Sequence, residues 1–421
     1  MRIEGALFFL DKCLERIYFV QAVYQQEAEE TMSKMNHKAI SRLPSIDPPD
    51  RLQPARVPQF AAFTFDDNGK SGLPGAGTIG GMSFVLDLFD SGRNQGIGEH
   101  TEHAGKKTFD YAATRATFLA AGFYSGPGQW ENGSFVKKIW KKAADLGHEI
   151  GNHTYTHPHG LREGYSASQW EEEIMRCDEC LTNRFDPNET PETKDDKNGI
   201  GLRSEEIVGF RAPFLGYNAH LFPALSRLGF SYDCSISEGF QSEQDGTNCF
   251  WPYTLDLGSP GDRLAAIENG REPAPGVPAL WELPTYAVTV PPDELCRKYG
   301  VQEGLRTKLA KRVDTFNEKD GKIDGLDWNL WSPFEMNTDE FIATFAYSLD
   351  LKYQGNRAPM IFCFHSDIYA DEYDDPMPNA DAGERRRALK ACYEYAAGLK
   401  DARLVTMKDL VSWLENPVPL R

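Results

Sequence analysis

Gly147-His148-Glu149-Ile150-Gly151-Asn152-His153-Thr154-Tyr155-Thr156-His157 places a helix stop, a strand and two imidazoles in direct succession. Upstream, Phe135, Val136, Ile139, Trp140, Ala143 and Leu146 recur at helical spacing, with an apolar stripe along one face. Ser134 offers an N-cap and Gly147 a stop. His148-Glu149-Ile150 then reads as a short strand, and the histidine pair follows it. Imidazoles four residues apart close on one divalent ion if another ligand arrives from elsewhere. Alone the pair decides little. In a chain with nine histidines, such residues are more often hydrogen-bonded parts of the framework.

The unit recurs in kind along the chain. A helix over Leu221, Phe222, Leu225 and Leu228 follows Asn218 as cap and stops at Gly229, before Phe230-Ser231-Tyr232 and Asp233. Another, over Phe341, Ile342, Phe345 and Leu349, starts at Asn337 or Thr338 and precedes Gly355. Pro359-Met360-Ile361-Phe362-Cys363-Phe364 then runs into His365. A last helix ends at Gly398, before a final strand Leu404-Val405-Thr406. Gln59-Phe60-Ala61-Ala62-Phe63-Thr64-Phe65 opens the compact region and breaks off at Asp66-Asp67. Ile207-Val208-Gly209-Phe210 ends at Arg211. Helix, glycine, apolar strand and polar residue, in that order, predict a parallel sheet buried on both faces. In a (β/α) barrel the chemistry gathers where strands end. Asp66, Asp67, His153, Arg211, Asp233 and His365 are therefore expected at one mouth. Each has a plainer reading by itself: a turn, an ion pair, a core histidine. Their joint position at strand ends is what favours a site.

The rest of the chain sets bounds. Its 421 residues fit one large α/β domain. A net charge of −18 repels phosphate backbones and excludes nucleic acid as a natural partner. Residues 1–56 read as a leader helix and a Pro-rich linker, and 57–416 as the catalytic domain, with insertions at about 68–110 and 290–335. The leader is too interrupted by charge for a signal peptide, and no segment is apolar for the roughly 20 residues of a membrane span. Gly75-Ala76-Gly77-Thr78-Ile79-Gly80 matches a dinucleotide fingerprint in letters only, since no strand leads directly into it. Glu99-His100 and Glu102-His103 read as solvated loop. Cys177 and Cys180 lie on a helix without a second such pair, Cys363 reads as a small core residue, and Cys234 with Cys249 leaves a loop bridge open.

The collected residues suit hydrolysis of an amide or ester. One carboxylate and two imidazoles leave coordination positions open, as a catalytic zinc requires. Of two adjacent carboxylates, one can bind the ion while the other accepts a proton. Arg211 would keep that second carboxylate ionised, and His365 can serve as the acid.

Thr64-Phe65-Asp66-Asp67, His153-x-x-x-His157, Arg211-Ala212-Pro213-Phe214 and Phe362-Cys363-Phe364-His365 resemble, in order and spacing, the motifs of the polysaccharide deacetylases, carbohydrate esterase family four with the NodB-homology domain. The resemblance covers about 58–415. Ala116-Thr117-Phe118-Leu119, Gly209-Phe210 ahead of Arg211, and Trp251-Pro252-Tyr253-Thr254-Leu255 look most like the chitin deacetylase branch. The resemblance implies a deformed (β/α) barrel, often seven-stranded, and removal of N-acetyl groups from N-acetylglucosamine polymers. It implies Asp67, His153 and His157 as ligands of Zn2+ or another divalent metal, Asp66 as base, His365 as acid and the Phe214 backbone N–H as oxyanion donor. The family's fourth motif is an Asp-Trp pair whose Asp orients the acid. Asp233 in Tyr232-Asp233-Cys234-Ser235 is the expected equivalent, although no Trp follows it. The implied partner is an acetylated polysaccharide, which places the protein outside the cytoplasm. An O-acetyl-xylan esterase on the same site and a catalytically silent carbohydrate-binding barrel are the alternatives.

Overall fold

The structure, a computed structural model, describes residues 42–96, 108–127, 131–193, 197–373 and 375–420. Nearly all of the expected leader helix falls outside these residues, as do Glu99-His100 and Glu102-His103.

One sheet organises the described chain. Its strands are β1 (Gln59–Asp67), β2 (Thr117–Ala120), β3 (Glu149–Asn152), β4 (Gly209–Phe210), β5 (Tyr232–Asp233), β6 (Tyr253–Thr254), β7 (Trp281–Glu282), β8 (Met360–His365) and β9 (Ala402–Leu404). The order β8-β1-β2-β3-β4-β5-β7 is a continuous run of seven strands, every neighbouring pair parallel. β9 adds in parallel to β1, and β6 closes the other end antiparallel to β7. This curled, mostly parallel sheet with helices packed outside it is the deformed (β/α) barrel that the alternation of glycine, apolar strand and polar terminus predicts.

The strand cores follow from composition. Phe63 stacks on Phe364 at 5.2 Å, and Phe65 stacks on Phe118 at 5.3 Å, so rings link β8, β1 and β2 on one face. Thr64 and Asp66 alternate to the opposite face, as a strand's period of two requires. The helix before β3 spans Gly133–Asp145 and is capped by Asn132, whose side chain accepts from the Ser134 N–H. Ser134, the expected cap, therefore sits inside the first turn, two residues past the observed one. Gly147 ends that segment at φ +85°, where only glycine is unstrained. Asn337 caps its helix, Thr338–Gln354, as expected, with a full capping box. Beyond β9 the chain adds one more helix, Met407–Glu415, capped by Thr406. Thr406 thus belongs to the cap and not to the final strand.

Residues 42–56 run along the domain. The Thr254 N–H donates to the Arg42 carbonyl, the Trp251 N–H to that of Ser45, and the Leu420 N–H to that of Arg56. Gly75–Gly80 forms turns that lead into the helix Gly81–Asp90 with no strand directly before them, so it cannot act as a dinucleotide fingerprint. Cys234 and Cys249 are free thiols and make no bridge. No described helix is long and apolar enough to cross a membrane.

Candidate active site

Asp66 and Asp67 end β1, and Asp66 pairs in register with His365 at the end of β8. A regular strand would send the two neighbouring carboxylates to opposite faces. Asp67 instead takes φ +68°, and both carboxylates line one cavity of ≈ 530 Å³. His153 and His157 join them from the loop after β3, with His157 at φ +55°. Phe214, at φ +59°, and Leu215, at φ +50°, add two more left-handed residues to the cavity lining. Such conformations cost about 1–3 kcal/mol each and persist only where the surroundings enforce them.

The ligand atoms of Asp67, His153 and His157 lie within 4.8 Å of one another. His157 Nε2 is 3.3 Å from Asp67 Oδ1, and His153 Nε2 is 3.9 Å from it. His153 Nδ1 donates to the Arg211 carbonyl at 2.7 Å. The proton therefore sits on Nδ1 and the Nε2 lone pair faces Asp67, which is the tautomer a metal ligand needs. Burial pushes the imidazoles of His153 and His157 down to about 4, so both are neutral at pH 7. Burial pushes the Asp67 carboxyl up, against the pull of His365 and His153. Asp67 Oδ1 is buried and accepts no hydrogen bond. An orphaned carboxylate oxygen beside two neutral imidazoles fits a divalent cation.

Asp66 is different. Its Oδ1 accepts from Arg211 Nη1 at 2.7 Å, and Cys363 Sγ donates to Oδ2 at 3.2 Å. Burial alone would raise its pKa. The Arg211 charge and, less strongly, His153 and His365 prevail and bring it to about 2. Arg211 is fully buried and fixed by Thr64 Oγ1 and the Cys234 carbonyl. It is thus both a framework residue and the counter-ion of Asp66. Cys363 is buried as expected, yet it also touches this carboxylate.

Asp233 does not reach His365. Its carboxylate accepts from the Ser235 N–H and Oγ–H, both at 2.8 Å, and Ser235 Oγ accepts from the Ala212 N–H. Asp233 so braces the loop after β4, and burial holds it up at about 6. The residue on His365 is Asp327. Its Oδ1 lies 2.7 Å from His365 Nδ1, and its Oδ2 accepts the His365 N–H and the Tyr369 hydroxyl. Burial lowers the imidazole's pKa, but the Asp327 carboxylate outweighs it and lifts His365 to about 9. The signal for this was in the sequence. Asp327-Trp328 is an Asp-Trp pair, inside the 290–335 segment that reads as a rim insertion. A parallel bridge between Leu326 and Cys363 lays that segment against β8.

Phe214 is 62% exposed, so a ring at this position is presented to whatever enters the cavity. It stacks on His159 at 5.2 Å and meets His157 edge-on at 4.6 Å. Across the cavity, Trp328 donates to Asp375 Oδ2 at 2.8 Å.

The polysaccharide deacetylase family model matches residues 87–192, a span that contains both histidines and stops short of Asp67 on one side and Arg211 on the other. Among solved structures, the chain is similar to a Mycobacterium smegmatis protein described as a polysaccharide deacetylase, at 17% identity over 87% of this chain and 93% of that one, with a TM-score of 0.46. It is also similar to the Xyl-CE4 domain of a multidomain xylanase from the hindgut metagenome of Trinervitermes trinervoides (14% identity, 86% and 93% covered, TM-score 0.31). A third is a family 4 carbohydrate esterase from Streptomyces lividans in complex with acetate (19% identity, 42% and 64% covered, TM-score 0.23). No curated protein sequence matches the chain.

Proposed function

We propose that the chain, whose residues 87–192 match the polysaccharide deacetylase family model, is a metal-dependent hydrolase that removes N-acetyl groups from an N-acetylglucosamine polymer. The observation that carries this reading is the orphaned Asp67 oxygen facing two neutral imidazoles, with Asp66 and His365 on the same cavity. Asp67, His153 and His157 would hold the ion, and Zn2+ suits two nitrogens and a carboxylate. When bound, the ion supplies Lewis acidity toward water and the acetyl carbonyl.

The remaining work belongs to the chain's own groups. Asp66 Oδ1 is held by the Arg211 guanidinium and Oδ2 only by the weak Cys363 thiol donor, so Oδ2 is the atom that accepts the proton of the attacking water. The Phe214 N–H donates to the oxygen that develops negative charge. His365 donates from Nε2 to the departing amine, because Asp327 holds Nδ1. The Phe214 and Trp328 rings supply stacking surface for sugar rings at either side. The motifs at 209–214 and 251–255 favour a chitin-like polymer, which places the enzyme outside the cytoplasm.

Acetate release from chitooligosaccharides and from acetylated xylan, assayed side by side with zinc, tests the proposal. Release from the chitooligosaccharides supports it. Release from xylan alone would replace it with an O-acetyl esterase on the same residues, and binding of either glycan without turnover would replace it with a silent barrel.

A further inference from the structure

We infer that Glu173, which lies outside the cavity, positions the loop that carries both histidines and thereby sets the affinity for the metal ion. The inference rests on the reading of Asp67, His153 and His157 as metal ligands. That loop adopts a backbone its residues do not favour, with Thr154 at φ +67° and His157 at φ +55°. A β-branched residue at positive φ is an outlier that only its surroundings can hold.

Those surroundings can be counted bond by bond. The Thr154 N–H goes to Asn152 Oδ1 at 2.8 Å. The carbonyls of Thr154 and Tyr155 accept from the Gly122 and Phe123 N–H groups at 2.9 and 2.8 Å. The N–H groups of Tyr155 and Thr156 both donate to Glu173 Oε2, at 3.1 and 2.6 Å, and the Thr156 hydroxyl donates to Oε1 at 2.7 Å. One carboxylate thus holds three donors from the residues between the two imidazoles. Ionised acceptors make the stronger hydrogen bonds, and one that collects adjacent N–H groups fixes the path of the chain.

Glu173 is itself well anchored. It projects from the helix Ala167–Thr182, whose N-terminus carries a capping box of Ser166 and Gln169 and whose inner face buries Trp170, Ile174, Cys177 and Leu181. One turn on, the Arg176 guanidinium lies 3.9 Å over the Tyr155 ring. The helix is therefore a rigid mount, and the loop hangs from it. Without Glu173, ordering the loop becomes part of the free energy of metal binding. Asp66, Arg211, Asp327 and His365 keep their own contacts, so the chemical step with the ion in place is left alone.

The test uses the full chain with zinc alone as probe, titrated against a chromophoric chelator at fixed pH. Glu173→Ala should weaken zinc binding by about 10–100-fold, the range seen when outer-shell partners are removed, with kcat at saturating zinc unchanged. Glu173→Gln keeps an oxygen for both N–H groups and should recover most of the affinity. Thr156→Val removes one bond of the three and should lose less than Glu173→Ala, which keeps the idea testable if the alanine variant folds poorly. Glu172→Ala, at an exposed neighbour on the same helix, should bind as the wild type does. Wild-type zinc affinity in both Glu173→Ala and Thr156→Val overturns the inference, as does a loss confined to kcat. A wild-type chain that takes up no zinc overturns the reading of the ligands beneath it.

Discussion

At the scale of single residues, His365 and Asp327 make the sharpest prediction. The folded-state pKa of His365 is raised to about 9 from an ordinary 6.5. Its protonated form is therefore favoured by folding, and that stabilisation is fully present below about pH 6.5 and lost as pH rises through 9. Asp327→Asn should narrow its stability deficit against the wild type across that window, as read from urea midpoints. The same substitution should lower kcat by roughly 10²-fold and move the alkaline limb of the rate profile to lower pH, since an unpaired imidazole loses its proton earlier. A limb that stays in place would detach Asp327 from the acid. Arg211 gives a second prediction. Arg211→Met leaves the Asp66 carboxylate buried without its partner and should cost about 3–5 kcal/mol of unfolding free energy. Adding Asp66→Asn to it should recover part of that loss, which a double-mutant cycle would measure.

Elements determine how such residues meet. β3 can lie between β2 and β4 because Gly151 has no side chain. A Cβ there would sit 2.6 Å from Leu119 Cδ2 and 2.9 Å from the Gly209 carbonyl oxygen. Gly151→Ala should destabilise the fold by about 1–3 kcal/mol through overpacking, seen as a lower thermal midpoint. An unchanged midpoint would mean that the strands separate more easily than their spacing suggests. The alternation of helix, glycine, apolar strand and polar residue made this sheet legible in the sequence. Asp66, Asp67, His153, Arg211 and His365 were legible for the same reason, because a strand's last residue stands at the mouth by construction. Asp327 had only the Asp-Trp pair as its signal, in a segment that reads as a rim insertion and not as a strand end. It opens the short helix Asp327–Trp331, and the bridge of Leu326 to β8 brings it beside His365. Asp233 satisfied the strand-end rule and still missed His365, because its carboxylate turns back to Ser235. The rule places a residue at the mouth, but which way its side chain turns depends on local hydrogen bonds.

For the molecule as a whole, the proposed metal site would couple ion binding to folding. A site whose central oxygen is buried and unpaired is a standing cost in the ion-free chain. Anything that binds the folded state and not the unfolded one stabilises it, by about 2.7 kcal/mol at a hundredfold excess over Kd. Zinc should therefore raise the thermal midpoint of the wild type. It should leave that of Asp67→Ala unchanged, and a chelator should reverse the wild-type shift. Equal shifts in both proteins would place the ion elsewhere.

Acetate release from N-acetylglucosamine oligomers, followed through removal and return of the metal, bears most directly on the whole account. We predict that chelation abolishes release by the wild type, that stoichiometric zinc restores it, and that Asp67→Ala stays inactive throughout. Release that continues in the chelated wild type, or that persists in Asp67→Ala, would contradict the account.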